Sequence, residues 1–308
     1  MEISNGLVEQ HIHGAFGIDF MDCSVDDFLE CSALLASFGV TAYFPTIMTD
    51  EVSVIKDRLE IVKQAKKKQS KRMAQIVGVH LEGPFINPEK AGIHEKKYIL
   101  QPSIEKYKLL EDDIISIVTV ASELDVNYGL INYLKSKNIK VSVGHSVETD
   151  LNNANQVTHL YNAMGTFSHR GNSTVVSALT NENVYCEIIA DSMHVSDDVL
   201  KLTFKQKGLD KILLISDALP LAHAAKKEHV FAGQKIYNKE GKLVNSDGVF
   251  AGSSMLLADI ITNLCSKNIL TLKEALICAS FNQLKYHNIE NKLKVHWKDS
   301  MIEKIEFI

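Results

Sequence analysis

The sequence predicts an α/β protein folded as a closed (β/α)8 TIM-like barrel, and three observations carry that expectation. First, eight short runs, at 7–12, 40–45, 75–81, 114–120, 139–144, 156–160, 184–190 and 211–216, read as strands, the count a closed parallel barrel needs. Several are almost continuously apolar, as strands buried on both faces must be. Second, helical stretches at 25–38, 51–68, 103–110, 127–137 and 196–207 alternate with them. Third, six runs lead to a metal-capable side chain: His11 and His13, Glu82, His145, His159, Asp191 and Asp217. A parallel barrel gathers its strand ends into one ring, so residues far apart in sequence can meet there.

Composition narrows the function classes. At 308 residues the chain is long enough for one barrel, and 45% hydrophobic with 23% charged residues is ordinary for a globular protein. A net charge of −5 argues against nucleic-acid or membrane-surface binding, which favours a basic face. Five cysteines without a CxxC pair suit reduced thiols, no run approaches the ~18 apolar residues of a membrane span, and the N-terminus lacks a leader pattern. The expected compartment is the cytoplasm.

Taken in order, the elements carry their own signals. Ser24 can cap the first helix, Asp26 and Asp27 favour its positive end, and Gly39 stops it. The second helix ends on Lys66-Lys67-Lys68, a solvated run suited to a helix C-terminus. Gly83-Pro84 turns the chain away after Glu82 and leaves that carboxylate at the barrel mouth. Only 13 residues separate His145 from His159, so the fifth helix is expected to be short or missing. After the eighth strand, 228–250 reads as a hairpin with turn chemistry at Asn238 to Gly241. Helices near 256–266 and 272–280 follow, then strand-like pieces at 292–297 and 302–307 that are expected to pair on the barrel exterior. No linker interrupts the chain. The division is a barrel over 1–280 and a C-terminal tail, 281–308, with remnant strands.

His11 and His13 lie two apart on a strand, so both face the same side, and paired imidazoles at this spacing can hold one ion. Two hydrogen-bonded polar residues at a strand end would read the same way. His145 and His159 could each be satisfied core histidines, but a plain explanation must then cover every strand end separately. Asp217 suits a general base that takes a proton from water and returns it to a leaving group, the alternative being a helix cap. Histidine and carboxylate donors suit zinc first, with iron, manganese and cobalt as alternatives.

The runs His11-Ile12-His13-Gly14, His80-Leu81-Glu82-Gly83-Pro84, Gly92-Ile93-His94, Gly144-His145-Ser146, His159-Leu160-Tyr161-Asn162-Ala163-Met164, Ala190-Asp191-Ser192-Met193-His194 and Ser216-Asp217-Ala218 resemble those of N-acetylglucosamine-6-phosphate deacetylases, of the amidohydrolase superfamily. The resemblance is ordered and spans about 6 to 280. It implies that Glu82, His145 and His159 ligate the family's metal. His11 and His13 match positions that are histidines in members with a second metal, so one or two divalent ions are expected. It implies Asp217 as catalytic acid/base and His94 as the group polarising the acetamide carbonyl. Ile93, Asn162, Ala163, Arg170, Asp191, His194 and the Phe250-Ala251-Gly252 turn match the sugar-phosphate side. The arginine comes from a partner subunit in family members, which implies a homodimer.

Three departures stand against that pattern. The β-sandwich domain usual beside the barrel is missing or vestigial, the fifth helix is cut down, and Gly171-Asn172-Ser173 replaces the usual Glu-Pro-Gly after the arginine. The expectation is hydrolysis of the acetamide of N-acetylglucosamine 6-phosphate to the amine and acetate. The alternatives are a related substrate, such as N-acetylgalactosamine 6-phosphate or a cyclic amide, and an idle homologue that only binds a sugar phosphate or a partner protein.

Overall fold

A computed structural model of the chain describes residues 2–147, 151 and 153–308. Eight parallel strands form the barrel: β1 (Leu7–Ile12), β2 (Val40–Met48), β3 (Val79–Glu82), β4 (Ile115–Val120), β5 (Lys140–Val143), β6 (Gln156–Val157), β7 (Tyr185–Ile189) and β8 (Ile212–Ile215). Each pairs with its sequence neighbours, in the order β1 to β8. The seam between β8 and β1 closes just past the strand ends. There Asp217 N donates to His11 O at 2.9 Å and His13 N donates to Ala218 O at 2.9 Å. The buried Glu9 side chain ties the same seam, taking the His11 N–H at 3.1 Å and the Ser216 N–H at 3.0 Å. Three of the residues expected to do chemistry, His11, His13 and Asp217, therefore also close the barrel.

All eight expected strands are present, with local differences. The run 75–81 is split: Gln75–Ile76 pairs with β2 before β3 begins at Val79. β6 is only two residues long, because His159 turns out of extended backbone at φ 28°. β2 runs on to Met48, buried along its whole length.

Five helices fall close to expectation: α1 (Val25–Ser37), α2 (Val52–Lys68), α3 (Ile104–Lys108), α4 (Gly129–Ser136) and, last, Asp197–Lys207. α1 opens with a reciprocal cap in which Ser24 Oγ accepts from Asp27 N while Asp27 Oδ2 accepts from Ser24 N. The segment expected to hold a short or missing fifth helix, 146–155, has 148–150 and 152 outside the described residues, and none of its described residues is helical. A short helix that the sequence did not announce, Thr174–Thr180 (α5), joins β6 to β7, so Asp197–Lys207 is α6.

Beyond β8 the expected hairpin is a four-stranded antiparallel sheet of Glu228–Phe231, Gln234–Lys239, Lys242–Val244 and Phe250–Ser253. Phe250-Ala251-Gly252, expected as a turn, belongs to its last strand. Ser253 bonds back to the barrel, donating to Asp217 O at 2.9 Å and accepting from Leu219 N at 3.1 Å. Phe231, Ile236 and Leu243 of this sheet pack with Leu219, Met48 and Ile93 in a small core of their own, which fixes the sheet over the barrel mouth.

Helix α7 (Leu257–Ser266) follows, then a helical run from Leu272 to His287 with a π turn at Ile277–Phe281. It extends past the expected 280 because Asn282 and Gln283 reach back to β8. Asn282 Nδ2 donates to Ile212 O at 2.8 Å and Gln283 Nε2 to Leu214 O at 2.7 Å. The tail strands Leu293–Lys298 and Met301–Phe307 pair with each other and, through the first, with Glu2–Asn5. Trp297 is buried there and donates to Ser4 Oγ at 2.9 Å.

Candidate metal centre

The strand ends converge on Glu82. His145 Nε2 and His159 Nε2 lie 3.2 and 3.0 Å from its Oε1, and His11 Nε2 lies 3.4 Å from the same oxygen. His13 Nε2 is 3.2 Å from Glu82 Oε2. Asp217 Oδ1 completes the ring, 3.1 Å from His13 Nε2 and 3.4 Å from His11 Nε2. All six groups are buried. Their atoms form two clusters that suit an ion, Glu82 with His145 and His159, and His11 with His13 and Asp217.

The backbone is bent to bring them there. His145, His159 and Asp217 have φ of 48°, 28° and 50°, a left-handed conformation that costs side chains of the L series about 1 kcal/mol or more each. Local hydrogen bonds hold the bends: Asn87 N donates to His145 O, Leu160 N to Glu187 O and Ser253 N to Asp217 O, each at 2.9 Å.

The donor set fits a divalent cation. His145 Nδ1 must donate to the Lys90 carbonyl at 2.7 Å, which leaves its Nε2 with a lone pair. That Nε2 faces His159 Nε2 at 3.1 Å, an arrangement that a shared cation satisfies. His11 Nε2 is buried without a hydrogen-bond partner although two carboxylates lie close by. Burial alone would lower the His11 and His13 imidazoles, yet Glu82 and Asp217 raise both, His11 far above its ordinary range. Burial would likewise raise the Glu82 and Asp217 carboxyls, and the surrounding histidines, His11 foremost, hold them low. The cluster is built to take positive charge.

A cavity of about 320 Å³ opens over the ring. Ile93, His94, Asn162, Ala163, His194, Phe250, Ala251 and Gly252, all expected on the sequence, line it together with His13, Glu82, His145, His159 and Asp217. His94 is pushed down to about 4 by burial and is neutral; its Nδ1 lies 2.8 Å from Thr49 Oγ1 and its Nε2 3.6 Å from Glu82 Oε2. With the Thr49 hydroxyl donating, the imidazole proton sits on Nε2, toward the cavity.

Two expected contact residues are elsewhere. Asp191 does not line the cavity; it is buried beneath His194, accepting from His194 Nδ1 at 2.8 Å and from the Met193 and His194 N–H groups. Its role within the chain is to hold His194. Arg170 is exposed and also outside the lining.

Sequence reasoning missed the layer below the ring. Glu187 takes His11 Nδ1 at 3.1 Å, and His80 makes bonds from both nitrogens, to Gln10 O at 3.1 Å and Thr119 Oγ1 at 2.8 Å. His11, His80 and Glu187 also lie close enough for an ion, but those hydrogen bonds already occupy the His80 ring. A single charged residue inside an apolar strand was the available signal for Glu187.

Comparisons with known proteins agree with this geometry. The amidohydrolase family pattern matches residues 3–294. The chain is 34% identical over 263 residues to the N-acetylglucosamine-6-phosphate deacetylase of Bacillus subtilis (strain 168), an alignment covering 80% of this chain and 66% of that protein. It is 29% identical over 299 residues to the protein of the same name from Lysinibacillus sphaericus, covering 93% of this chain and 76% of that one. The crystal structure of N-acetylglucosamine-6-phosphate deacetylase from Pasteurella multocida superposes with a TM-score of 0.90 at 26% identity, covering 99% of this chain and 85% of that one. The chain thus spans about two thirds of the Bacillus protein and more of the other two.

Proposed function

The chain belongs to the amidohydrolase family, among the N-acetylglucosamine-6-phosphate deacetylases, and on that premise we propose that it hydrolyses the acetamide of N-acetylglucosamine 6-phosphate to glucosamine 6-phosphate and acetate. The observation that carries this reading is the buried ring of four histidines, Glu82 and Asp217 at the floor of one cavity. Glu82, His145 and His159 would hold one divalent ion, and His11 and His13 a second; zinc is the metal we propose. A bound divalent ion supplies Lewis acidity, which polarises a carbonyl and acidifies water.

The chain's own residues do the rest. Asp217, held ionised by His11 and His13, accepts the proton of the attacking water and delivers it to the amine nitrogen as the C–N bond breaks. The Nε2–H of His94, in the cavity lining, would donate to the acetamide oxygen as it gains negative charge. His194, held by Asp191, and Asn162 face the sugar-phosphate side of the cavity.

Further parts of the reading concern the whole protein. Arg170 is exposed and outside its own cavity, and from its match to the arginine that family members take from a partner subunit we propose a homodimer. We propose a barrel over 1–280 and a tail over 281–308 whose strands pair with Glu2–Asn5. Among the described residues no helix is long and apolar enough to cross a membrane; a cytoplasmic location is proposed from the likeness to the deacetylases.

The test is acetate release from N-acetylglucosamine 6-phosphate, N-acetylgalactosamine 6-phosphate and unphosphorylated N-acetylglucosamine, by the wild type and Asp217→Asn. The wild type should prefer the first, and Asp217→Asn should lose about 10²- to 10⁴-fold in kcat while keeping its metal. Equal turnover of the unphosphorylated sugar would overturn the substrate, and an active, metal-loaded Asp217→Asn would overturn the acid/base role.

A further inference from the structure

Glu187 lies on β7 with no exposed surface, one layer below the strand-end ring. Both its oxygens are spoken for. Oε1 accepts from Gln10 Nε2 at 2.5 Å and from Gln156 Nε2 at 2.9 Å. Oε2 accepts from His11 Nδ1 at 3.1 Å and from His159 N at 3.3 Å. Gln10 is itself fixed from below by His287, whose Nε2 lies 2.6 Å from Gln10 Oε1. The carboxylate cannot slide or turn without breaking one of these bonds.

This geometry decides which nitrogen of His11 is free. A carboxylate offers only acceptors, so Nδ1 keeps its proton toward Glu187, and Nε2 is the nitrogen left to give up its own proton and bind an ion. That Nε2 is the buried nitrogen with no hydrogen-bond partner, aimed between Glu82 and Asp217. We propose that Glu187 is the positioning residue of the His11–His13 ion site, fixing the tautomer and orientation of His11 so that Nε2 faces the ion. The proposal rests on the metal-dependent reading above.

Glu187→Gln is the informative variant because it keeps the shape and inverts one hydrogen bond. If the new amide nitrogen faces Gln10 and Gln156, three amide donors crowd together. If it faces His11, two donors oppose, and relief requires His11 to move its proton to Nε2 and close its lone pair to an ion. Outer partners of this kind are worth about 10- to 100-fold in metal affinity.

Wild type and Glu187→Gln are stripped with chelator, reloaded with zinc and freed of excess; bound zinc is counted by mass spectrometry and affinities are measured by competition. The wild type should hold about two ions per chain, and the variant about one, or a second held about 10- to 100-fold more weakly. Equal content and equal affinities in both proteins overturn the proposal. No zinc in the wild type overturns the metal-dependent reading instead.

A second measurement does not depend on the variant folding. In the zinc-loaded wild type, long-range proton–nitrogen spectra of the imidazoles, with His11 assigned by its loss in His11→Gln, should show a protected proton on Nδ1. A His11 Nδ1 without a proton overturns the assignment.

Discussion

Thr49 shows how much of this site depends on residues outside the cavity lining. Its hydroxyl is 2.8 Å from His94 Nδ1, and Gly83 keeps the space clear: a Cβ at Gly83, where φ is 85°, would fall 2.0 Å from Thr49 Oγ1. Thr49→Val keeps the volume but leaves a buried imidazole nitrogen unpaired, so the ring is no longer aimed. We expect kcat to fall about 3- to 10-fold, the worth of one hydrogen bond of ~1 kcal/mol, with KM little changed, because the bond to the acetamide oxygen strengthens only in the transition state. Unchanged kcat would show that His94 is held some other way. The residues that cluster at the mouth were legible in the sequence: Glu82, His145 and His159 each close an apolar run, and a barrel can bring such ends together. Thr49 and Gln10 were not, since a threonine or glutamine in a strand has no spacing that marks it as a second layer, and Glu187 showed only as a charge inside an apolar strand. Asp191 was misplaced for a related reason. A carboxylate at a strand end looks the same whether it faces the cavity or holds the histidine three residues on.

Among the elements, α7 ties the post-β8 segment to the barrel wall. Asp259, in its first turn, accepts from Leu256 N at 2.8 Å and from His223 Nε2 at 2.7 Å. The Asp259 hydrogen bond raises the His223 pKa, against a smaller opposing effect of burial. A histidine raised in the folded state contributes stability in full below its unfolded pKa of about 6.5 and loses it as pH rises through the folded value. The pair is partly exposed, so the contribution is a few tenths of a kcal/mol. Urea midpoints should therefore separate wild type from His223→Gln at pH 6 and converge by pH 9; a gap that grows with pH would contradict the pairing. The strands were readable because their apolar runs are long enough to stand out. α5 was not: its seven residues give less than two full turns of periodicity. Its cap lies in the segment that departs from the family pattern, where Ser173 Oγ accepts from Val176 N. Phe250–Ser253 hid for another reason, since a Phe-Ala-Gly-Ser strand carries turn residues and takes its partner from the sheet over the mouth.

For the molecule as a whole, the barrel is what converts scattered residues into one centre. β1, β3, β5, β6 and β8 each contribute to the ring at their C-terminal ends, and the β8–β1 seam places Asp217 beside His11 and His13. That much follows from counting strands and noting what ends them. The two tail strands were expected to pair, but the addition of Glu2–Asn5 to them was not, because it joins opposite ends of the chain and no local pattern links them. The central claim is that this ring holds divalent metal and that the metal is needed to cleave the acetamide. The direct measurement is acetate release from N-acetylglucosamine 6-phosphate by one preparation as purified, after chelation and after zinc is restored, with metal content determined at each stage. Release that vanishes with the metal and returns with it is the predicted result. Undiminished release from protein shown to be free of metal would contradict it.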